Sequence, residues 1–226
     1  MSNKTAKLSK DGSVHITDEQ INTISHLIGA CLAVLGAALL VSQAAQQANA
    51  WKITGLSIYS LSLLGLFAFS TLHHGVNAKP KVNELLRTLD YISVFLLIAG
   101  TATPLVLVVY RNVYGWAVLG SVWGIAAIGI TLRAVHTQLP KYITNTLYIV
   151  LGWIPVALLA DKPHLPLGAI LLLSVGGITY SLGFIIYIYE KPNIKPGRFG
   201  FHELWHCFII VAALLHYLLM YLYILK

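Results

Sequence analysis

Seven long apolar runs, separated by short polar breaks, organise the chain: residues 22–45, 53–75, 88–110, 114–133, 142–160, 166–189 and 202–225. Each is near the roughly 20 residues a helix needs to cross a bilayer. The runs are continuous rather than alternating, and too long for strands, so the pattern predicts helices. The breaks have local causes. Asn77-Ala78-Lys79-Pro80 ends the second run, Asp161-Lys162-Pro163 the fifth, and Pro192, Pro196 and Gly197 interrupt the chain before the seventh. Pro104 and Pro155 lie inside runs and predict kinks. Gly29, Gly36, Gly176 and Gly177 stand where small residues let helices pack closely. Residues 1–18 are polar and mixed in charge, which predicts a flexible tail before one membrane domain over 19–226.

Composition agrees: of 226 residues, 57% are hydrophobic and 10% charged, against roughly a quarter charged in a soluble domain. The expected fold is therefore an all-α integral membrane protein, a seven-transmembrane-helix bundle. Ala48-Asn49-Ala50 imitates a signal cleavage site, but the run before it is too long for a signal core, and the first run reads as a retained span. A net charge of +7 does not mark a nucleic-acid binder here, because the basic residues fall in short connections between apolar runs. Eleven of the 15 Lys and Arg residues fall on the side holding the N-terminus and four on the other, which predicts a cytoplasmic N-terminus and an external C-terminus. That orientation is opposite to heptahelical G-protein-coupled receptors. Cys31 and Cys207 form no metal or disulfide pattern and read as buried free thiols.

Against this apolar background, the intramembrane polar residues gather at one depth. His202 and His206 open the seventh run at helical i, i+4 spacing, so both imidazoles share a face. Ser70 and His74 show the same spacing at the end of the second run, Asp90 opens the third, and Glu19, Asn22, Ser25 and His26 open the first. Alternation of direction puts these four ends on one side. Imidazoles are costly in lipid without partners, and a shared metal explains several together. His74, His202 and His206 supply three ligands and leave a fourth position for water, as in catalytic zinc sites. Asp90 could hold or deprotonate that water, and Ser70 could bind it or a substrate oxygen.

The other polar positions read differently. His73 points about 100° from His74 and is expected at the membrane interface. His216 lies about 15 Å deeper than His206, outside the ligand set. His15, His136 and His164 read as loop residues. His202-Glu203-Leu204-Trp205-His206 spells the H-E-x-x-H of zinc proteases, which would make Glu203 a general base. The second- and third-run residues serve that chemistry better, and no acidic ligand follows Glu203, so its place in the string is expected to be incidental.

Several motifs in order resemble the progestin and adipoQ receptor (PAQR) superfamily, in its bacterial haemolysin III branch. They are Glu19-x-x-Asn22-x-x-Ser25-His26, Ser70-x-x-x-His74, Asp90 with Leu97-Ile98-Ala99-Gly100-Thr101-Ala102-Thr103-Pro104, Gly176-Gly177-x-x-Tyr180-Ser181-x-Gly183, and His202-x-x-x-His206. The resemblance implies seven helices with a cytoplasmic N-terminus and zinc near the cytoplasmic face. It implies zinc on His74, His202 and His206, with Ser70 and Asp90 beside the zinc-bound water. It also implies a bacterial cytoplasmic membrane, and a link to membrane-lipid homeostasis or to hydrolysis of ceramide-type amides.

Two functions follow from these readings. One is a zinc-dependent hydrolase of a lipid amide or ester within the bilayer. The other is a non-enzymatic sensor or regulator of membrane state, with zinc as a structural staple. A pore has little support, since no amphipathic soluble-to-membrane segment and no charged channel lining is present. An ion-coupled transporter is open, because intramembrane His and Asp can relay protons. The expected partner is a membrane lipid or a lipid-derived substrate.

Overall fold

The structure is a computed structural model that describes residues 10, 11, 13, 15, 17–136, 139–161 and 165–226. Lys162, Pro163 and His164, named above, lie outside the described residues, as do Lys4 and Lys7, two of the eleven basic residues counted on the N-terminal side, and much of the segment expected as a tail. Among the described residues, seven helices are long and apolar enough to cross a membrane: α1 Glu19–Gln46, α2 Ala50–Gly75, α3 Pro80–Val109, α4 Val113–Val135, α5 Lys141–Ala160, α6 Leu167–Tyr189 and α7 Phe201–Ile224. The chain is a multi-pass integral membrane protein. Successive helices alternate in direction, so the starts of α1, α3, α5 and α7 share one side with the ends of α2, α4 and α6.

Each helix begins and ends for a local reason. The Asp18 side chain accepts from the Gln20 and Ile21 N–H groups and starts α1, and Asn49 does the same for α2 through Trp51 and Lys52. Helix α3 begins eight residues before the predicted run. Pro80 occupies its first turn, where a missing N–H costs nothing. Lys81, Asn83, Glu84 and Arg87 made that stretch read as a loop. They form instead a polar first two turns that hydropathy does not register. Asp90 consequently lies ten residues into its helix. Each internal proline marks a change of helix geometry. Beyond Pro104 the α-helix passes into a π-helical turn over Leu105–Val109, and α5 changes to 3-10 geometry over Ile154–Ala160, around Pro155.

The core runs along the bundle axis through Leu40, Tyr59, Phe95, Val106, Val122, Leu151 and Ile224, all essentially inaccessible. Leu27, Leu35, Leu61, Leu171 and Leu214 point outward, as lipid-facing side chains do. Cys31 and Cys207 are free, as expected, but stand on the outer surface rather than in the interior. Helices that are apolar all round carry no sequence signal separating lipid-facing from inward positions. Close packing depends on glycines. A Cβ on Gly29 would come within 2.6 Å of the Phe67 ring, and one on Gly36 would meet Tyr217 at the same distance. A Cβ on Gly129 of α4 would overlap the Phe95 ring of α3. Gly129→Val is therefore expected to destabilise the protein by roughly 1–3 kcal/mol through overpacking. Thermal unfolding in detergent checks this; an unchanged midpoint contradicts the packing account.

Candidate metal centre

The α7 start is fixed by a buried carboxylate. Glu203 accepts from its own Gly200 N–H (2.7 Å) and reaches across to α1, accepting from the Asp18 N–H (2.6 Å) and the Asn22 side-chain amide (3.3 Å). Glu203 is 1% exposed. Its place in the chain is thus not incidental. Its oxygens are engaged in tying α7 to α1, which sets the height and rotation of His202 and His206. Asn22, a candidate for lining or supporting the site along with Glu19, Ser25 and His26, turns its side-chain amide toward Glu203 and its backbone toward His206.

With α7 held this way, His74, His202 and His206 converge. Their rings stand 4.8 to 5.0 Å apart between centroids, all three are buried, and one ligand nitrogen from each falls within 4.8 Å of the others. His74 Nε2 lies 3.3 Å from His202 Nε2. The outer nitrogens of His74 and His206 have their own partners, whereas His202 Nδ1 is buried without one. Glu19 Oε2 is 2.6 Å from His74 Nδ1, and a carboxylate can only accept, so Nδ1 carries the proton and Nε2 presents its lone pair. Ser25 Oγ donates to the Asn22 carbonyl (3.0 Å) and lies 3.3 Å from His206 Nδ1. Its single proton being used, it accepts from Nδ1–H and leaves His206 Nε2 with a lone pair. The lone pairs of His74 and His206 thus face, with His202 Nε2, one small buried space in which a cation would be accommodated. Outer nitrogens held by a carboxylate and a hydroxyl are the supports that metal-binding histidines carry. The donor set therefore fits a metal ion, and three imidazoles suit zinc among others.

The remaining residues surround this group. His26 stacks on His206 at 3.6 Å between centroids and packs edge-on against Phe67. Ser70 hydrogen bonds Asp90, and the Asp90 carboxylate lies within electrostatic reach of His73 and His74. Both line a cavity of about 670 Å³, together with His26, His202 and His206. Away from the histidines much of its wall is apolar, with Leu97, Ile98, Leu105, Val156, Ile178 and Ile209, beside polar residues such as Arg133, Lys141 and Asn145. From Asp90 to Leu105 it follows α3 for about 22 Å at 1.5 Å per residue. His216 is buried and lies 3.2 Å from the Leu173 carbonyl, outside the donor group as expected. His136 is exposed.

Three residues escaped the sequence reading. Lys10 Nζ donates to the carbonyls of His73 (3.1 Å), His74 (2.7 Å) and Val76 (2.8 Å), capping the end of α2. Burial pushes its ammonium below the usual lysine range, against the pull of Glu19 and Asp11. That cap places the next residue, Asp11, in the interior at 4% exposure. Asp11 Oδ1 accepts from His73 Nε2 at 3.0 Å, and Oδ2 lies 3.2 Å from His202 Nε2. Burial alone would raise the Asp11 carboxyl, but the imidazoles of His202, His73 and His74 outweigh it and hold it below the usual carboxylate range. His73, expected at the interface, is buried because this segment covers its face of α2. Arg133, at the end of α4, is buried on the cavity wall with its guanidinium 4.2 Å from the Tyr91 ring centre. A single acid within a polar segment, or one arginine at a helix end, carries no periodicity that could have announced either role.

A family model described as haemolysin-III related matches residues 14–217. The chain belongs to this family. It is 32% identical over 213 residues to Hemolysin-3 of Bacillus cereus, covering 93% of each protein. It is 33% identical to the Hemolysin-3 homolog of Bacillus subtilis, over 86% of this chain and 89% of that one. It also matches the monocyte to macrophage differentiation factor of Homo sapiens, at 24% identity over 90% of this chain and 83% of the human protein. The haemolysin III family assignment within the PAQR superfamily thus holds along nearly the whole length.

Proposed function

We propose that this haemolysin III family protein is a metal-dependent hydrolase of lipid amides or esters, with zinc as its ion. The observation that carries the reading is the junction of two features. A three-imidazole donor group, two of whose Nδ1 atoms are held from outside, opens through His202 and His206 into a largely apolar cavity that follows α3 for about 22 Å. An acyl chain fits such a space. Its polar carbonyl end would lie among Ser70, Asp90 and the histidines.

His74, His202 and His206 would hold the ion, which when bound would supply Lewis acidity and water activated near neutral pH. Asp90 has the position and charge to take a proton from the attacking water and return it to the leaving amine or alcohol. Ser70 orients Asp90 through its hydrogen bond and can donate to a substrate oxygen. The apolar walls exclude bulk water and align the chain. Following the Lys and Arg bias, the site end faces the cytoplasm, in a bacterial cytoplasmic membrane.

The test offers zinc-loaded protein in nanodiscs a panel of ceramides and phospholipids and measures released fatty acid. Turnover is expected, and Asp90→Asn is expected to reduce kcat by about 100-fold or more, the scale of a lost general base. No release from any lipid, or release that Asp90→Asn and His206→Ala leave unchanged, contradicts the hydrolase. A second reading, a non-enzymatic regulator stapled by metal, is favoured by one observation. The donors come from α2 and α7, whose backbones otherwise make little direct approach.

A further inference from the structure

Arg133, in the last turn of α4, is a buried cation without an anion. It is 4% exposed, its Nε has no hydrogen-bond partner, and no carboxylate among the described residues pairs with it. The guanidinium lies over the Tyr91 ring at 4.2 Å, and its other strong electrostatic neighbours are the phenols of Tyr148 and Tyr187 and a second arginine, Arg87. An aromatic face attracts the cation but leaves most of its N–H donors unused. The second guanidinium repels it, and the Nε of Arg87 is likewise buried without a partner. Burying a charge in this way is costly, so the group asks for a missing acceptor.

That acceptor has a place to sit. Arg133 lines the 670 Å³ cavity, and the start of α5 brings Lys141, Thr144 and Asn145 to the same wall. Thr144 is 5% exposed, and its Oγ1 also lacks a partner. Tyr148, one turn beyond Thr144, donates to the Tyr91 carbonyl at 2.6 Å, which holds this face of α5 beside the residue that Arg133 covers. Helix α5 begins without a side-chain cap, so its first N–H groups add to the donors there. The nearby acids are engaged elsewhere: Glu190 stands 3.8 Å from the half-exposed Lys141 Nζ, and Asp90 is hydrogen bonded by Ser70. Tyr91 hydrogen bonds Tyr187, whose ring centre lies 6.1 Å from that of His202. Two aromatic rings thus separate the guanidinium from the imidazole donors.

We propose that Arg133, with Thr144, Asn145 and Lys141, is a headgroup site for the phosphate of an anionic lipid, and selects phosphate-bearing lipids over neutral ones with the same chains. This rests on the lipid reading of the cavity above and adds the headgroup chemistry of its substrate. The planar guanidinium fork matches phosphate oxygens, and the Thr144 hydroxyl and Asn145 amide can donate to those that remain. Arg133, Arg87 and Lys141 together suit a phosphate monoester, which carries more than one negative charge, better than a single carboxylate. In a lipid phosphate the headgroup and the nearest acyl carbonyl are a few bonds apart. A phosphate at Arg133 therefore lets the carbonyl reach toward Ser70 and the histidines while the chain follows α3 toward Leu105.

The experiment titrates the full chain in neutral detergent with phosphatidic acid, with diacylglycerol of identical chains, and with inorganic phosphate. Fluorescence of Trp153 and Trp205, which line the cavity, reports binding. The unmodified protein is expected to bind phosphatidic acid about tenfold or more tightly than diacylglycerol. Arg133→Gln should remove that preference, and Arg133→Lys should keep part of it. Equal affinity for the two lipids in the unmodified protein overturns the site, whether or not the variants fold, and so does a preference that Arg133→Gln retains in full. Inorganic phosphate that acts at the same concentrations, with the same dependence on Arg133, makes this a free-anion site and overturns the lipid assignment. Binding of neither lipid overturns the site together with the lipid reading beneath it. None of these outcomes needs turnover. An Arg133-dependent preference without fatty-acid release counts against the hydrolase alone, whereas release from both lipids at equal kcat/KM counts against the headgroup site alone.

Discussion

His202→Ala is expected to abolish metal binding at the proposed three-histidine site. Among the three imidazoles, His202 is the central one, with its Nε2 within 3.3 Å of His74 Nε2 and 3.2 Å of Asp11 Oδ2. Structural zinc sites contribute about 10–16 kcal/mol over their whole ligand set, so one ligand of three is worth several kcal/mol. Affinity should fall by about a thousandfold or more, and metal retained through purification should drop from near one ion per chain toward none. The same loss should appear as instability. An ion present at a thousandfold excess over its Kd stabilises the folded state by about 4 kcal/mol. Chelation of the unmodified protein should therefore lower its unfolding midpoint by several degrees, while His202→Ala should be insensitive to chelator. Metal content by mass spectrometry, paired with thermal unfolding with and without chelator, measures both. An unmodified protein whose midpoint ignores chelation contradicts the staple reading, since α2 and α7 would then be held together without the ion. A metal content unchanged by the substitution contradicts the site itself.

The second large effect is expected at Glu203. Its carboxylate accepts three hydrogen bonds, from Gly200, Asp18 and Asn22, in a fully buried position. Glu203→Ala removes the shared acceptor and leaves three donors facing a void. Each buried unsatisfied donor costs about 1–3 kcal/mol, so a loss of roughly 3 kcal/mol or more is expected even after partial relaxation. Because Glu203 joins the starts of α1 and α7, the damage should not stay local. His202 and His206 would lose their height relative to His74, so zinc affinity should fall although Glu203 touches no ligand nitrogen. Glu203→Gln, which keeps the shape and one acceptor, should lie between. The two observables are the unfolding midpoint and the zinc Kd. A stability change under 0.5 kcal/mol would remove the tie between helices. If Glu203→Ala keeps full metal binding yet loses hydrolysis, Glu203 belongs to the chemistry and the protease-like reading of H-E-x-x-H revives.

Much of this protein was legible along the chain because a bilayer imposes one demand on every span. Length and continuous apolarity are enough to place a transmembrane helix, and all seven appeared within a few residues of their observed bounds except the start of α3. There a polar amphipathic turn precedes the membrane run, and hydropathy has no means of separating it from a loop. The histidines were legible for the same reason: polar groups are scarce in apolar helices, so His74, His202 and His206 stand out, and alternation of direction brings their ends to one side. Helical spacing supplied the shared face of His202 and His206.

What only the tertiary structure decided concerns groups whose partners are distant in sequence and whose neighbours are ordinary. Asp11 looked like one charge in a polar segment; the Lys10 cap on α2 carries it into the interior, beside His202. His73 was assigned to the interface from its angle on α2, and is buried because that segment lies over it. Glu203 differed from an idle neighbour only through Asp18 and Asn22 of another helix. The inward or outward facing of Cys31 and Cys207 was equally invisible. The physical reason is common to all four. Local pattern reports whether a residue can enter the membrane or a helix, whereas pairing of buried polar groups is set by which elements meet, and contacts across more than 60 residues leave no periodic trace in the chain.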